Sequence, residues 1–283
     1  MNKQHPKQPT LTAAVQAALA IGPAIQGHEA VESKGERTLK PTKKLSRNKT
    51  MAAAPLIFTD KAIAMQSLAD AVGNGYTRYV TGSTPIEKVE KTLAIFGLNY
   101  GAFADRNERA RRKRKGLGNV MAVFFWRKDD RIMWWLLSTP SEMGSHPIHS
   151  SERLKNALLP QERIEIDGFE LVRVPKPGTS ESKLTWRMEE QKYQDFRDYV
   201  IDTVRSRSHN RMDNMLYQLW SMPGFSGIRR QIGKLAALYR GEVKRAGVKD
   251  APKPPRRLRY LRRIPHEGLT AREILNEARN RQG

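Results

Sequence analysis

Residues 105–139 decide our expectations for both fold and function. They read DRNERARRKRKGLG, followed directly by NVMAVFFWRKDDRIMWWLLST. The first half holds seven Lys and Arg residues between Asp105 and Gly116. Gly116 and Gly118 then lead into the most apolar and aromatic stretch of the chain. A cationic segment therefore lies at the rim of an apolar element, and the two halves predict different roles.

The apolar half predicts a β-hairpin. Residues 120–126 and 132–137 are rich in β-branched and aromatic side chains, and the Lys-Asp-Asp of residues 128–130 is typical of a turn. Because successive side chains of a strand point to opposite faces, Trp134 and Trp135 should lie on opposite faces of the sheet. One face must then pack on a layer of helices, while the other has a second layer or stays open.

The aromatic residues of the hairpin have two candidate roles. They could form the core, or they could stack on the bases of single-stranded nucleic acid, as in sheet-type RNA binders. We expect the core role, which is the commoner one, for Phe124, Phe125, Trp126, Trp134 and Trp135.

The segments around the hairpin predict an α+β fold. The expected helices cover residues 60–71, residues from Ser83 or Thr84 to 96, and residues 150–158, and the expected strands cover residues 76–81, 163–166, 169–174 and 184–188. Asp167-Gly168 between two apolar runs is a strong short-range hairpin signal. The pattern predicts an antiparallel or mixed β-sheet with helices packed on one side.

After residue 189 the sequence predicts helices alone. In the segment 225–246, apolar residues recur on one side of a helix and Arg and Lys on the other. Together with residues 211–224 it could form a helix-turn-helix. Its outward residues are mostly cationic, with Gln231 as the exception, which favours contact with phosphates over reading of base edges.

The composition divides the chain into four parts. Residues 1–54 predict a basic, mostly disordered tail, since they are rich in cations and largely poor in apolar residues. Residues 55–189 predict the α+β central domain, and residues 190–250 a helical basic region. Residues 251–283 predict a basic, proline-containing arm and a short terminal helix.

The net charge indicates an anionic partner. The chain has 283 residues and a formal charge of +22, from 51 Lys and Arg against 29 Asp and Glu. An excess of this size destabilises a compact chain by self-repulsion unless a partner neutralises it, and nucleic acid is the commonest such partner. We therefore expect a protein that binds DNA or RNA mainly at the phosphate backbone, within a larger nucleoprotein complex whose other proteins are further partners.

The cationic clusters supply the candidate binding residues. Arg outnumbers Lys in them, which suits bidentate phosphate contacts. The candidates are Arg106, Arg109, Arg111, Arg112, Lys113, Arg114 and Lys115 in the first cluster, Arg229, Arg230, Lys234, Arg240, Lys244 and Arg245 in the second, and Arg256, Arg257, Arg259, Arg262 and Arg263 in the arm.

Two other functions stay open. A metal-dependent nuclease or nickase could use His146, His149 and nearby carboxylates such as Glu142 and Glu152, although this spacing lacks the helical i,i+4 arrangement of zinc motifs. An interaction subunit could instead bind a protein through an aromatic sheet face. No motif specifies catalytic residues, a metal or a cofactor, and we expect neither of the last two.

The absence of cysteine bounds the chemistry further. With none in the chain, disulfides, thiolate metal sites and cysteine nucleophiles are excluded. This fits a cytoplasmic protein, and we expect one. The apolar run 11–25 is too short and too polar to span a membrane, so no membrane partner is expected.

Overall fold

The computed structural model describes residues 55–140, 146–175, 178–256, 260 and 262–282. The predicted basic tail, residues 1–54, lies outside these residues.

Up to residue 188 the described chain contains both helices and strands, and after it the elements are helices. The helices are α1 Lys61–Gly73, α2 Val89–Tyr100, α3 Arg106–Arg114, α4 Ile148–Ser151, α5 Glu190–Arg205, α6 His209–Trp220, α7 Ser226–Ala246 and α8 Ala271–Gln282. The strands are β1 Ile57–Phe58, β2 Arg78–Pro85, β3 Val120–Trp126, β4 Arg131–Ser138, β5 Lys155–Asn156, β6 Glu165–Ile166, β7 Phe169–Pro175 and β8 Ser182–Met188.

The predicted hairpin forms the centre of a five-stranded sheet with the order β1-β3-β4-β2-β5. β1 is parallel to β3 and the other neighbours are antiparallel, so the sheet is mixed. Trp134 pairs with Phe124, and Trp135 with Val123. The α+β class and the mixed sheet are thus confirmed.

Both faces of this sheet are buried, and each face belongs to a separate core. Trp134 packs with the helices α2 and α8, and its ring meets Phe96 edge-on with 5.1 Å between the centroids. Trp135 lies in the other core, with the helices α1, α5, α6 and α7. The two tryptophans do lie on opposite faces, and the expectation of helices on one side was wrong because α8 and α2 cover the second face.

A second, three-stranded sheet has the order β6-β7-β8. Its first turn is Asp167-Gly168, and both residues have positive φ, 50° and 75°, as a tight two-residue hairpin requires. This turn is confirmed. Trp186 of β8 donates from its indole nitrogen to the carbonyl oxygen of Met65, 2.8 Å away, which joins the second sheet to α1.

The helical region packs on the same core as the sheets. Apolar residues of its helices are buried or partly buried there, namely Val200, Val204, Ile228, Ile232, Leu235, Tyr239 and Val243. The chain then returns to the first sheet, where Leu269 and Ile57 exchange backbone hydrogen bonds of 2.9 and 2.8 Å. Thr270 caps α8, and its hydroxyl and Glu273 form a reciprocal capping pair.

Two local predictions were wrong. Ser83 and Thr84 do not cap a helix, because β2 continues through them along its full pairing with β4. Residues 150–158 are helical only to Ser151, since the chain then adds β5 to the edge of β2. The cationic segment forms the helix α3.

The close packing of α7 on β8 supplies a test of the fold. A methyl group at Gly227 would collide with the backbone oxygen of Trp186, so Gly227→Ala should lower the free energy of unfolding by about 1–3 kcal/mol. Gly233 of the same helix has open space around it, and Gly233→Ala should raise that free energy by about 0.5–1 kcal/mol. Urea denaturation measures both, and equal effects would contradict the close approach.

Candidate nucleic-acid interface

The cations of the first cluster lie on different sides of the helix α3. The carboxylate of Asp105 accepts a 2.7 Å hydrogen bond from the backbone nitrogen of Glu108 and caps the helix. Arg106, Arg109 and Lys113 have the spacing i, i+3, i+7 and share one face. All three line a cleft of about 1250 Å³.

The cations on the other sides of α3 are engaged differently. Arg111 and Arg112 pair with Glu108, at 2.5 and 3.2 Å. The guanidinium of Arg112 also lies so close to Gly101 that a Cβ there would be 2.9 Å from it. Arg114 and Lys115 are exposed and do not line the cleft.

The opposite wall of this cleft is built by α1 and by residues 263–266. The side-chain amide of Gln66 in α1 is buried and exchanges two hydrogen bonds with the backbone of Ile264, of 2.7 and 3.0 Å. This pairing positions Arg263 and His266 at the cleft. Asp70 is the carboxylate of the cleft, and it lies 2.8 Å from a guanidinium nitrogen of Arg263.

Asn119 lines the cleft between these walls. The residue is buried, and its amide nitrogen donates a 3.1 Å hydrogen bond to the carbonyl oxygen of Arg109. Its amide oxygen is buried without a hydrogen-bond partner. Asn119 thus connects the start of β3 to α3 by a hydrogen bond, and its amide oxygen is an acceptor without a donor.

A second cleft, of about 1300 Å³, shares Arg263 with the first. Lys61, Lys192 and Arg262 are its other cations, and Asp60, which caps α1, is its carboxylate. Arg263 lines both clefts, so the two adjoin at this residue. We call the two clefts together the cationic groove, defined by Lys61, Arg106, Arg109, Lys113, Lys192, Arg262 and Arg263.

Lys61 and Lys192 are held together over one ring. Their ammonium groups lie 5.3 and 4.5 Å from the centroid of Phe169. Burial and the neighbouring charge of Lys61 lower the pKa of Lys192. Asp167 offsets part of this repulsion, since it pairs with Lys61 at 3.6 Å and its backbone oxygen accepts from Lys192. An added anion at this place would be stabilised by two ammonium groups.

The cations of α7 are distributed over several surfaces. Arg230 and Lys234 are exposed, while Arg245 pairs with the buried carboxylate of Glu242 at 2.6 Å. Arg240, Lys244 and Arg256 line a separate cleft of about 860 Å³. These residues do not line the cationic groove.

The helix-turn-helix interpretation meets an obstacle in Gln231. Its amide exchanges hydrogen bonds of 2.7 and 2.9 Å with the backbone of Met188. The one expected base-reading side chain of α7 is therefore occupied inside the protein.

The two histidines singled out by the sequence have different surroundings. Burial and the charge of Arg112 lower the pKa of His146. His149 and Glu152 line a cavity of about 370 Å³, and each has a buried side-chain atom without a hydrogen-bond partner. Within the described ranges, no three His, Asp or Glu side chains are close enough to hold a metal ion, and Glu142 lies outside these ranges.

The aromatic residues of the hairpin are unavailable for binding. Phe124, Phe125, Trp126, Trp134 and Trp135 are all at most 3% exposed. The core role is confirmed, and an interaction surface on an aromatic face of this sheet is contradicted.

Sequence reasoning found part of the groove. It singled out Arg106, Arg109, Lys113, Arg262 and Arg263, whereas Lys61 and Lys192 were missed because each is an isolated cation in the sequence. No local signal marks them, since only the fold brings them together. Arg257 and Arg259 lie outside the described residues.

Comparisons of the chain with models of known families, with curated proteins and with solved structures found no match. Among the described helices, none has both the length and the apolar character that crossing a membrane requires.

Arg112 and Arg114 differ in their contacts within the protein, and this difference gives a second test. Arg112→Ala removes an ion pair and the packing on Gly101, and should lower the free energy of unfolding by about 1 kcal/mol. Arg114→Ala, an equal change at an exposed site of the same helix, should alter it by less than about 0.5 kcal/mol. Thermal unfolding followed by circular dichroism distinguishes the two, and an unchanged Arg112→Ala protein would contradict the internal role.

Proposed function

We propose that this protein binds nucleic acid, mainly through the phosphate backbone, along the cationic groove. The observation that carries the proposal is the meeting of cations from four distant parts of the chain at Arg263, where the two clefts join. The groove has seven Lys and Arg side chains against two carboxylates, a larger excess than the 51 to 29 of the whole chain. Phosphates spaced along a polynucleotide match such an extended row of cations.

The kinds of side chain support backbone contact over base reading. Arg and Lys supply most of the charged groups that the groove offers, and Gln231 is occupied by Met188. Cationic contacts position a protein on nucleic acid but carry little sequence information. We therefore propose a binder with low sequence preference that works in a larger nucleoprotein complex. The lack of cysteine supports a cytoplasmic setting.

Salt dependence tests this function. If about five cations of the groove contact phosphates, affinity should fall roughly 10²- to 10³-fold between about 50 and 200 mM salt. Fluorescence anisotropy with labelled DNA and RNA, single-stranded and duplex, measures the slope. Failure of every probe to bind at about 50 mM salt would sink the proposal.

A matched pair of variants locates the contact. Arg106→Gln/Lys113→Gln removes two cations from the groove. Arg114→Gln/Lys115→Gln removes two cations that lie at the end of the same helix and outside the groove. The first should weaken binding about 10- to 100-fold and reduce the salt slope by about two. The second should change both far less. Equal losses of affinity in the two variants would mean that binding depends on the net charge of the protein and not on the cations of the groove.

A nucleolytic activity is the second candidate, and one observation favours it. The cavity that holds the unpartnered atoms of His149 and Glu152 shares Pro140 with the cationic groove's first cleft, so bound nucleic acid would lie close to both side chains. Incubation with supercoiled DNA and with RNA, with and without Mg²⁺ or Mn²⁺, tests it. Cleavage that His149→Ala abolishes supports the activity, and no cleavage by the wild type contradicts it.

A further inference from the structure

The second cleft of the cationic groove contains aromatic side chains at its surface. Within the described residues, Tyr217 and Tyr260 are the two aromatic residues that are exposed, at 75% and 69%, and both line this one cleft. Phe169, Phe196 and Trp220 line it as well. Phe169 itself is 2% exposed and belongs to the core, as most other rings of the described chain do, so Tyr217 and Tyr260 supply the exposed ring faces of the cleft.

Cations alternate with these rings. Lys61 and Lys192 lie over Phe169, and the guanidinium carbon of Arg229 lies 5.3 Å from the centroid of Tyr260. Nε1 of Trp220, which lines the cleft, is buried without a hydrogen-bond partner. The cleft therefore offers flat apolar faces and positive charge side by side.

We propose that this cleft binds unpaired bases, and that the preferred ligand is a single-stranded polynucleotide whose bases stack on Tyr217 and Tyr260. The inference rests on the proposed function and specifies its substrate class. Every base has a π-face that stacks on tyrosine, while the phosphates between bases meet Lys61, Lys192, Arg262 and Arg263. In a duplex the bases already stack on one another, so a duplex cannot use the rings.

Charge complementarity favours this ligand over an apolar or acidic peptide. An apolar segment would leave four cations without anions at the cleft, and an acidic peptide would leave the tyrosine faces without flat partners. Asp60, the carboxylate of the cleft, is engaged by the backbone nitrogen of Ala62 at 2.6 Å. A single strand satisfies the rings and the cations at once.

Binding measurements test the inference. The probes are labelled oligothymidylate and oligouridylate of about 20 nucleotides and a blunt duplex of equal length, at about 100 mM salt. We expect the wild type to favour the single strands. Tyr217→Ala/Tyr260→Ala should weaken single-strand binding about 10- to 100-fold, leave the salt slope unchanged and leave duplex binding unchanged.

Two controls separate stacking from general damage. Tyr217→Phe/Tyr260→Phe keeps both rings and should retain single-strand affinity within about two-fold. Leu98→Ala removes an apolar side chain that is 85% exposed elsewhere, and should have no effect. Loss of binding in the phenylalanine variant would point to the hydroxyl groups and overturn the stacking role.

Tryptophan fluorescence gives an independent readout. Of the five tryptophans, Trp126, Trp134, Trp135 and Trp186 are at most 1% exposed, and Trp220 lines the cleft. Oligothymidylate should quench the emission of the wild type, and Trp220→Phe should remove that quenching.

The outcomes distinguish this inference from the proposed function. If the duplex binds as tightly as the single strands, or if the double alanine variant keeps its affinity while Arg106→Gln/Lys113→Gln loses it, the stacking cleft is wrong and nucleic-acid binding stands. If no probe binds the wild type, both fall.

Discussion

The β3–β4 hairpin supports both cores of the protein because its two adjacent tryptophans point to opposite faces. Trp134 lies in the core beneath α2 and α8. Trp135 lies in the core formed with α1, α5, α6 and α7. Gly82 on β2 faces Trp134 so closely that a Cβ would lie 2.5 Å from the indole ring. Of the parts that build the cationic groove, α1 packs on the Trp135 face, and Phe169 and Ile264 join the same core. The groove therefore depends on this sheet for its framework, and Met121 of β3 lines its first cleft.

The folded chain holds like charges near one another. Lys61 and Lys192 share one ring, and Arg263 joins two cationic clefts. Carboxylates offset some of this repulsion, such as Asp70 at Arg263 and Asp167 at Lys61. The remaining repulsion opposes folding, so an anion that binds the native state alone would stabilise it by mass action.

The sequence was sufficient where a single element carried the signal. The hairpin, the Asp167-Gly168 turn and the apolar side of α7 follow from local periodicity and turn chemistry. It failed where tertiary pairing decides: β2 extends through Ser83 because β4 offers a partner along its whole length. The groove was found in part, since clustered cations are visible in a sequence. Lys192 and Tyr217 were not recognised because their neighbours there are distant in the chain.

The segment between α7 and α8 is tethered at both ends. Tyr239 donates to the carbonyl oxygen of Pro252 at 2.8 Å, and the exchange between Leu269 and Ile57 anchors the other end. Gln66 adds an attachment at Ile264. Unlike the cations of a free basic tail, which would lose much chain entropy on docking, Arg262 and Arg263 directly precede Ile264, whose backbone Gln66 holds in the folded chain. For the binding proposed above, cutting the chain between these cations and their attachments would therefore reduce the affinity even if every cation remained part of the protein.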